Sequence, residues 1–333
     1  MTYIAHHRIT SNLARLVALL ALAIAPLALV SCETCPTPRV QSARSIVDRW
    51  VALVKPVTGG VQVSSLEGTA HVVSGTWKGY PLSLTPDLTG CASTTSDTSG
   101  PSGQDFTVWI ELAGAAPLEV LRIPMDHESR ATEHEAPVKV TWIRPDGRMF
   151  LVQSGHSIFR CSVCPGLVSK ELITDDGVCG TASGDDVFFI DRNAPTVLRW
   201  RSTSGEEGHI DIPRALDQLE PGAKAGKVVA FQYPKSAEEN VTLLAADRGD
   251  GSVKPLLRVP AGMVSFIRLP DETKAVVELW TKGKERIDGS MLTRFYLWDY
   301  VSGDLTFLRE NSEGERLHPL ATGFREVQVK CTE

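Results

Sequence analysis

The sequence predicts an all-β fold assembled from small antiparallel sheets. Beyond residue 50, short alternating or apolar runs rich in Val, Leu, Phe, Trp and Thr are interrupted by Gly, Pro, Asn and Asp every ~8 to 12 residues, as expected for strands joined by turns. Long helical periodicity is missing from the same region. Both observations favour strands as the main secondary structure.

Two local repeats organise the expected strands. One is a strand, a proline turn and a second strand, with Pro-Asp turns in residues 142–152 and 266–277 and weaker copies at 84–87 and 231–235. Proline ends a strand because it cannot donate a ladder hydrogen bond. The other repeat is a hairpin with a polar or glycine tip, and it recurs in residues 106–123, 149–160, 187–200, 241–259 and 295–308.

The spacing of the hairpin tips predicts how the sheets assemble. Tips near Gly114, Gly155, Asn193, Gly249 and Gly303 are separated by 41, 38, 56 and 54 residues, which is the range of one propeller blade. A small sheet with one apolar face cannot bury that face alone, so such units stack radially. We therefore predict a β-propeller-like domain of five to seven small antiparallel blades over residues 50–331. A β-sandwich is the alternative.

Two segments carry specific expectations within this domain. Residues 326–330 are expected to form a terminal strand that completes a sheet, with residues 69–73 as a candidate partner. Residues 89–104 consist almost entirely of Ser, Thr, Gly, Asp and Pro, a composition that does not pack a core. We expect them to form an exposed insertion between strands.

Short motifs resemble those of known propeller families. Residues 296–307, which contain Trp298-Asp299 and Gly303, resemble the strand–Asp–turn–Gly–strand signature of WD-repeat and quinoprotein-type blades. The Pro145-Asp146-Gly147 turn resembles those of TolB-type propellers. The resemblance covers most of residues 60–330, and it implies a propeller with broad, loop-rich faces.

The amino terminus has the organisation of a secretory signal. Arg8 and Arg15 precede an apolar run of 15 residues, 16–30, and small Ser31 precedes Cys32. The run is shorter than the ~20 residues of a membrane span, and it contains Pro26. The motif Leu29-Val30-Ser31-Cys32 resembles the lipobox of bacterial lipoprotein precursors.

That resemblance implies where the mature chain would be held. Residues 1–31 would be the signal peptide, Cys32 would receive the lipid, including acyl chains such as palmitate, and residues 32–49 would form the lipidated cysteine and tether. Each buried methylene contributes roughly 0.8 kcal/mol to attachment. We expect a lipid-anchored protein of the bacterial cell envelope, and we favour the outer membrane over the inner one.

The charge of the mature chain bears on its partners. Its 32 basic and 40 acidic side chains give a formal charge of −8. Such a surface repels nucleic acid, and no basic run offsets the repulsion. The expected partners are the membrane, through the N-terminal lipid, and a protein of the cell envelope, with no nucleic acid.

Three cysteines form a local cluster that is expected to hold a disulfide. Export favours disulfides, and Cys161, Cys164 and Cys179 are close in the sequence. The C-x-x-C spacing of the first two also occurs in redox and zinc sites. A thioredoxin-like site would open a helix, whereas strands flank this one, and no nearby His supplies a fourth zinc ligand. A structural disulfide is the remaining interpretation.

The other chemical motifs favour structural roles. Residues 126–128 and 133–135 each place a His between two acids, but these histidines are seven residues apart, whereas a zincin helix needs them four apart. The Arg-Gly-Asp tripeptide at 248–250 is part of a tight-turn sequence. Nucleophile elbows, phosphate-binding loops and dinucleotide fingerprints are missing from the sequence. We assign no catalytic, cofactor-binding or metal-binding residue.

These observations favour a binding or scaffold module that acts through propeller loop faces. The step from fold to function is one of analogy. The alternative is an envelope enzyme, such as a hydrolase, a lyase or a quinone-cofactor dehydrogenase, with its site at the central funnel. Polar side chains clustered at the central opening would favour the enzyme, and an apolar or plugged channel would favour the scaffold.

Overall fold

The structure is a computed structural model of the 333-residue chain, and it divides into two compact units, Met1–Ser42 and Ala43–Glu333. It describes residues 38–57, 60–67, 70–74, 79–97, 105–112, 115–124, 138–164, 166–222, 224–233, 241–259, 262–270, 273–285, 291–299, 301–311 and 314–321. Residues 1–31, Cys32 and the terminal segment 326–330 therefore lie outside the described residues. No helix in the described part of the chain is long and apolar enough to cross a membrane.

One helix and 24 strands make up the described secondary structure. The helix is α1 (Pro38–Val47). The strands of the first half are β1 (Val51–Val57), β2 (Gly60–Ser64), β3 (Ala70–Ser74), β4 (Tyr80–Leu84), β5 (Cys91–Asp97), β6 (Asp105–Glu111), β7 (Leu118–Pro124), β8 (Val138–Trp142), β9 (Met149–Ser154), β10 (Ser157–Cys164), β11 (Leu167–Thr174) and β12 (Gly177–Ser183). Those of the second half are β13 (Asp186–Asp191), β14 (Val197–Arg201), β15 (Glu207–Asp211), β16 (Gln218–Pro221), β17 (Lys227–Gln232), β18 (Val241–Asp247), β19 (Val253–Val259), β20 (Met263–Arg268), β21 (Lys274–Glu285), β22 (Met291–Asp299), β23 (Leu305–Glu310) and β24 (Arg316–Pro319).

The strands form a propeller of six four-stranded antiparallel blades. Blade 1 has the order β24-β1-β2-β3, and blades 2 to 6 are the successive meanders β4–β7, β8–β11, β12–β15, β16–β19 and β20–β23. First strands of neighbouring blades contact one another, β4 with β8, β8 with β12, β12 with β16 and β20 with β24, so these strands surround the axis. The prediction of an all-β propeller with five to seven blades is confirmed, and the sandwich alternative is excluded.

The ring closes by pairing the end of the described chain with its first strand. Strand β24 supplies the innermost strand of blade 1 and runs antiparallel to β1, with Val51 opposite Pro319 and Val54 opposite Arg316. The candidate partner that the sequence suggested for a terminal strand, residues 69–73, falls largely within β3, whereas the expected terminal strand itself, residues 326–330, lies outside the described residues, so their pairing stays a prediction.

Hydrophobic packing between blades follows from the alternation of side chains along each strand. In β17, Val228 and Ala230 pack with residues of blade 4, whereas Val229 and Phe231 pack with residues of blade 6. Successive strand residues point to opposite faces, so one strand serves two interfaces. Burying each large apolar side chain contributes roughly 1.5 to 3 kcal/mol.

The helix belongs in part to this packed structure. Ala43 and Val47 are buried in the cluster that contains Phe295 of blade 6, and the Arg44 guanidinium donates to the carbonyl of Leu308. The segment predicted as a tether, residues 32–49, therefore includes packed residues, because apolar side chains one turn apart on α1 reach the core.

Residues 89–104 correct another expectation from the sequence. Residues Cys91–Asp97 are not an exposed insertion but strand β5, paired with both β4 and β6. Ala92 and Ser93 are fully buried, since small side chains fit between closely packed strands. The polar composition was misleading because Thr and Ser can occupy a strand when their backbone groups are paired.

Candidate functional site

The three clustered cysteines do not form a disulfide in the structure. No disulfide bond joins Cys161, Cys164 or Cys179 to another cysteine, and the bridge expected among them is not seen. Cys161 and Cys164 both belong to β10, three positions apart. A strand advances ~3.3 Å per residue and alternates its side chains, so two such cysteines are about 10 Å apart on opposite faces and cannot be bridged.

The environment of Cys161 makes its thiol a packing group. It is fully buried in the core cluster between blades 2 and 3, and burial raises its pKa to about 12. The thiolate, not the thiol, is the reactive form of cysteine. Cys161 therefore remains protonated and inert near neutral pH.

Cys179 is in a different environment, on the strand of blade 4 nearest the axis. Its φ angle is +54°, which is rare for a non-glycine residue, and the pairing of β12 with β13 shifts register between Val178 and Thr181. A bulge of this kind turns a side chain away from the regular alternation. The Cys179 thiol donates to the carbonyl of Asp217 at 3.1 Å. The next amide, of Gly180, donates to Oε1 of Gln153 at 2.9 Å.

A chain of hydrogen bonds on blade 5 leads to the carboxyl group of Glu220. The hydroxyl of Tyr233 donates to Oε1 of Gln218 at 2.8 Å, and Nε2 of Gln218 donates to Oε1 of Glu220 at 2.8 Å. The Tyr233 ring stacks on buried Phe231, with centroids 6.4 Å apart. The Tyr233 hydroxyl thereby fixes which end of the Gln218 amide faces Glu220.

The Lys139 ammonium acts electrostatically on the Glu220 carboxyl group. Lys139 is on β8 of blade 3 and Glu220 on β16 of blade 5, with blade 4 between them. Burial raises the pKa of the Glu220 carboxyl, and the Lys139 ammonium and the Gln218 hydrogen bond oppose that rise. Among the described residues, no ion pair within 4.0 Å joins the two groups. Protein surrounds the Glu220 carboxyl although its side chain keeps partial access to solvent.

Asp217 and Tyr233 complete this polar cluster. Oδ2 of exposed Asp217 accepts the backbone N–H of Tyr233 at 2.7 Å. Burial, together with the nearby Glu220, Asp217 and Cys179, raises the pKa of the Tyr233 phenol to about 12. We refer to these groups as the axial cluster, which consists of Lys139, Cys179, Asp217, Gln218, Glu220 and Tyr233. It combines two carboxyl groups, an ammonium, a thiol and a phenol.

Sequence reasoning placed only one member of the axial cluster in a candidate site, and it gave Cys179 another role. A usable signal was present at Gln218 and Glu220, two polar residues on one face of a strand whose intervening Leu219 is fully buried. Gln218 and Glu220 are paired with Phe231 and Val229 of β17, so these two polar side chains share one face of the blade, opposite to the face on which Leu219 packs against blade 4.

The Arg-Gly-Asp tripeptide and the acid–His–acid triplets are the other two motifs that the sequence analysis singled out. Arg248 of the Arg-Gly-Asp tripeptide is held within the chain, with Nη1 2.6 Å from Asp186, Nη2 2.6 Å from Glu206 and its guanidinium 4.1 Å from the centroid of the Trp200 ring. It joins blade 5 to blade 4. The two acid–His–acid triplets, residues 126–128 and 133–135, lie outside the described residues.

Comparison with solved structures shows the fold. The chain aligns with TolB from Acinetobacter baumannii with a TM-score of 0.52 and 14% identity, over 81% of this chain and 65% of that one. It thus spans just under two thirds of that TolB. It also aligns with a putative TolB from Agrobacterium tumefaciens (TM-score 0.47, 13% identity, 82% of this chain and 99% of that one). The third is a putative 6-phosphogluconolactonase from Bacteroides uniformis (TM-score 0.41, 13% identity, 82% of this chain and 98% of that one). No protein-family model matches the sequence, and no curated protein does.

Proposed function

We propose that this protein is a lipid-anchored binding module of the bacterial cell envelope that takes its partner at the central opening of the propeller. The observation that carries the proposal is the axial cluster, because polar side chains from blades 3, 4 and 5 converge there around an incompletely satisfied carboxyl group. Ligand sites form where a few polar groups converge in a concave region. The likeness to a TolB supports the fold on which this site is built.

The described contacts favour binding over catalysis. The Cys179 thiol donates to a backbone carbonyl and the Tyr233 hydroxyl to a side-chain amide, so both protons are given to neutral acceptors. A nucleophile prepared for covalent chemistry instead donates to a general base. The same clustering of polar groups nevertheless supports an enzyme as the second candidate function.

The partner is tested by photocrosslinking in membranes. A photoreactive amino acid in place of Asp217, the exposed member of the axial cluster, is expected to give adducts with an envelope protein. The same group at Leu167, exposed on the outer strand β11, is the matched control. Adducts from position 167 alone, or from neither position after repeated trials, would contradict a partner at the central opening.

The anchor is tested at the cysteine that follows the signal sequence. Cys32→Ala is expected to abolish labelling by fatty acid and membrane fractionation, because the lipobox directs lipid to that sulfur. Cys35→Ala is the control and should retain both. A Cys32→Ala protein that still took up label would show the anchor assignment to be wrong.

A further inference from the structure

We propose that the axial cluster is a receptor site for an organic cation, the protonated amine or guanidinium group of the ligand, with Glu220 as the receiving carboxylate. This inference deepens the proposed function by naming the chemistry that is recognised at the central opening. It rests on four features of the cluster: the unsatisfied hydrogen-bonding capacity of Glu220, the fixed orientation of its carboxyl group, the second carboxylate and the exposure of Lys139.

The first feature is the shortage of donors around Glu220. An ionised carboxylate has about four acceptor positions. The described contacts supply Glu220 with one hydrogen bond, the 2.8 Å bond from Gln218, and this donor is a neutral amide. A poorly solvated carboxylate with one neutral partner favours the arrival of either a proton or a cation. The raised pKa reports that same preference.

The second feature is that the carboxyl group is held ready. The Tyr233 hydroxyl fixes the Gln218 amide, and that amide in turn holds Oε1 of Glu220. A cation can therefore approach the remaining acceptor positions without first reorganising the site. Preorganisation of this kind increases affinity because less ordering is needed on binding.

The third feature is the second carboxylate. Asp217 and Glu220 both raise the pKa of the Tyr233 phenol, and hydrogen bonds tie both carboxyl groups to Tyr233, that of Asp217 directly and that of Glu220 through Gln218. Asp217 uses Oδ2 for the Tyr233 amide, and its side chain is exposed. Ammonium and guanidinium groups carry several N–H donors that can serve more than one oxygen.

The ligand class follows from the donor set. In the part of the chain that the structure describes, no group of three or more His, Cys, Asp or Glu side chains could hold a metal ion. The Gln218 amide oxygen already accepts the Tyr233 hydroxyl and its N–H group faces Glu220, so the amide does not present a free oxygen ligand to a metal, whereas N–H donors of a ligand can still reach the carboxylates. Lys139 is exposed and is not locked in an ion pair with Glu220, so its ammonium can withdraw into solvent when another cation arrives.

The test measures binding of n-butylammonium and methylguanidinium near neutral pH, followed through the backbone N–H of Gly180 by NMR. We expect saturable shifts in the wild-type protein. Glu220→Gln should weaken binding by about tenfold or more, because a hydrogen bond to a charged group is lost. Lys139→Met should tighten it by about threefold, because a competing cation is removed. Asp175→Asn, at an exposed carboxyl group outside the cluster, should leave it unchanged.

Weaker amine binding in Glu220→Gln together with tighter binding in Lys139→Met would distinguish recognition of the cation from a structural role of these residues. Thermal unfolding would show whether Glu220→Gln still folds. If it does not, a second measurement, made on the wild-type protein, tests the same inference. Saturating n-butylammonium should lower the pKa of Glu220, read from its side-chain carbon resonance. Binding that is absent, or equal in all variants, would overturn the inference, as would a Glu220 pKa that does not move.

The amine test and the crosslinking test fail independently. Amine binding without any partner captured at position 217 would leave the cation site standing and remove the proposed partner. A captured partner without amine binding would do the reverse.

Discussion

The closure of the ring depends on a histidine whose protonation is expected to weaken it. His318 is buried on β24, opposite Ala52 of β1. Its Nε2 lies 3.3 Å from the carbonyl of Thr85, which is in the turn after β4 of blade 2, and the tautomer protonated at Nε2 donates to that oxygen. Burial lowers the pKa of His318 to about 4, from an ordinary value of 6.5. The folded protein therefore holds this imidazole neutral.

The expected effect on stability follows from linkage. Between pH 4 and 6.5 the unfolded chain binds a proton at this histidine that the folded chain does not bind. The contribution of the neutral ring is fully present above 6.5 and is lost as the pH falls towards 4. Each pKa unit corresponds to about 1.4 kcal/mol, so the free energy of unfolding should lose about 3 kcal/mol over this window from His318 alone.

The assay compares denaturant unfolding of the wild-type protein and of His318→Gln at several values between pH ~7.5 and ~4. The difference in unfolding free energy between the two proteins should shrink or reverse by about 3 kcal/mol as the pH falls. Taking this difference removes the contribution of other groups, including Asp48, which acts in the opposite direction. His209→Gln, at an exposed position of β15, should keep the wild-type pH dependence. An unchanged pH dependence in His318→Gln would refute the reasoning.

Three further substitutions test the packing around the ring. Burial raises the pKa of Asp48 from 3.8 to about 6, although its Oδ1 accepts the N–H of Leu66. The wild-type fold therefore loses stability as the pH rises through this range, and Asp48→Asn should remove that loss in pH-dependent unfolding experiments. Buried Glu278 accepts three side-chain hydrogen bonds, so Glu278→Ala should lower the unfolding free energy by about 3 kcal/mol, and Glu278→Gln by less. Arg248→Lys should cost about 1 to 2 kcal/mol in denaturant unfolding, because an ammonium cannot reproduce two ion pairs and the contact with the Trp200 ring; a cost near zero would contradict this interpretation.

The propeller could be predicted because similar turn residues recur along the chain even where the sequences around them differ. The proline turns at residues 84–87, 142–152 and 266–277 all connect the first two strands of a blade, those of blades 2, 3 and 6. The fourth copy, at 231–235, follows β17 instead, and blade 5 makes its equivalent turn at residues 222–226. Proline can end a strand at any position, so the motif alone does not report which turn of a blade it forms.

The uneven hairpin spacing has a similar explanation. The hairpins tipped by Gly155 and Asn193 join the second and third strands of their blades, whereas those near Gly114, Gly249 and Gly303 join the third and fourth. The step of 56 residues from Asn193 to Gly249 therefore includes one extra strand. First strands give a more regular period in this part of the chain: Val138, Gly177, Gln218 and Met263 are 39, 41 and 45 residues apart.

The axial cluster could not be predicted because radial closure creates it. Lys139 and Glu220 are 81 residues apart and belong to blades that are not neighbours, so no local spacing relates them. Cys179 reaches the cluster through a register shift and a positive φ angle. A cysteine does not signal either feature in the sequence, since glycine is the residue type that favours a positive φ angle. Sequence patterns indicate strands and turns, whereas the placement of Lys139 relative to Glu220 depends on the number of blades and on their register.

His318 and the axial cluster lie in different parts of the propeller, so effects on stability and effects on ligand binding can be measured separately. His318 acts where blades 1 and 2 meet the closing strand, while the axial cluster is built by blades 3, 4 and 5, and the described contacts give the two no shared partner. Substitutions without shared partners have additive effects on stability. His318→Gln should therefore leave amine affinity unchanged near neutral pH, and the double variant with Glu220→Gln should show summed unfolding free energies. A deviation well beyond about 0.5 kcal/mol would mean that ring closure and the site are coupled, and the axial cluster would then respond to strain in the whole propeller.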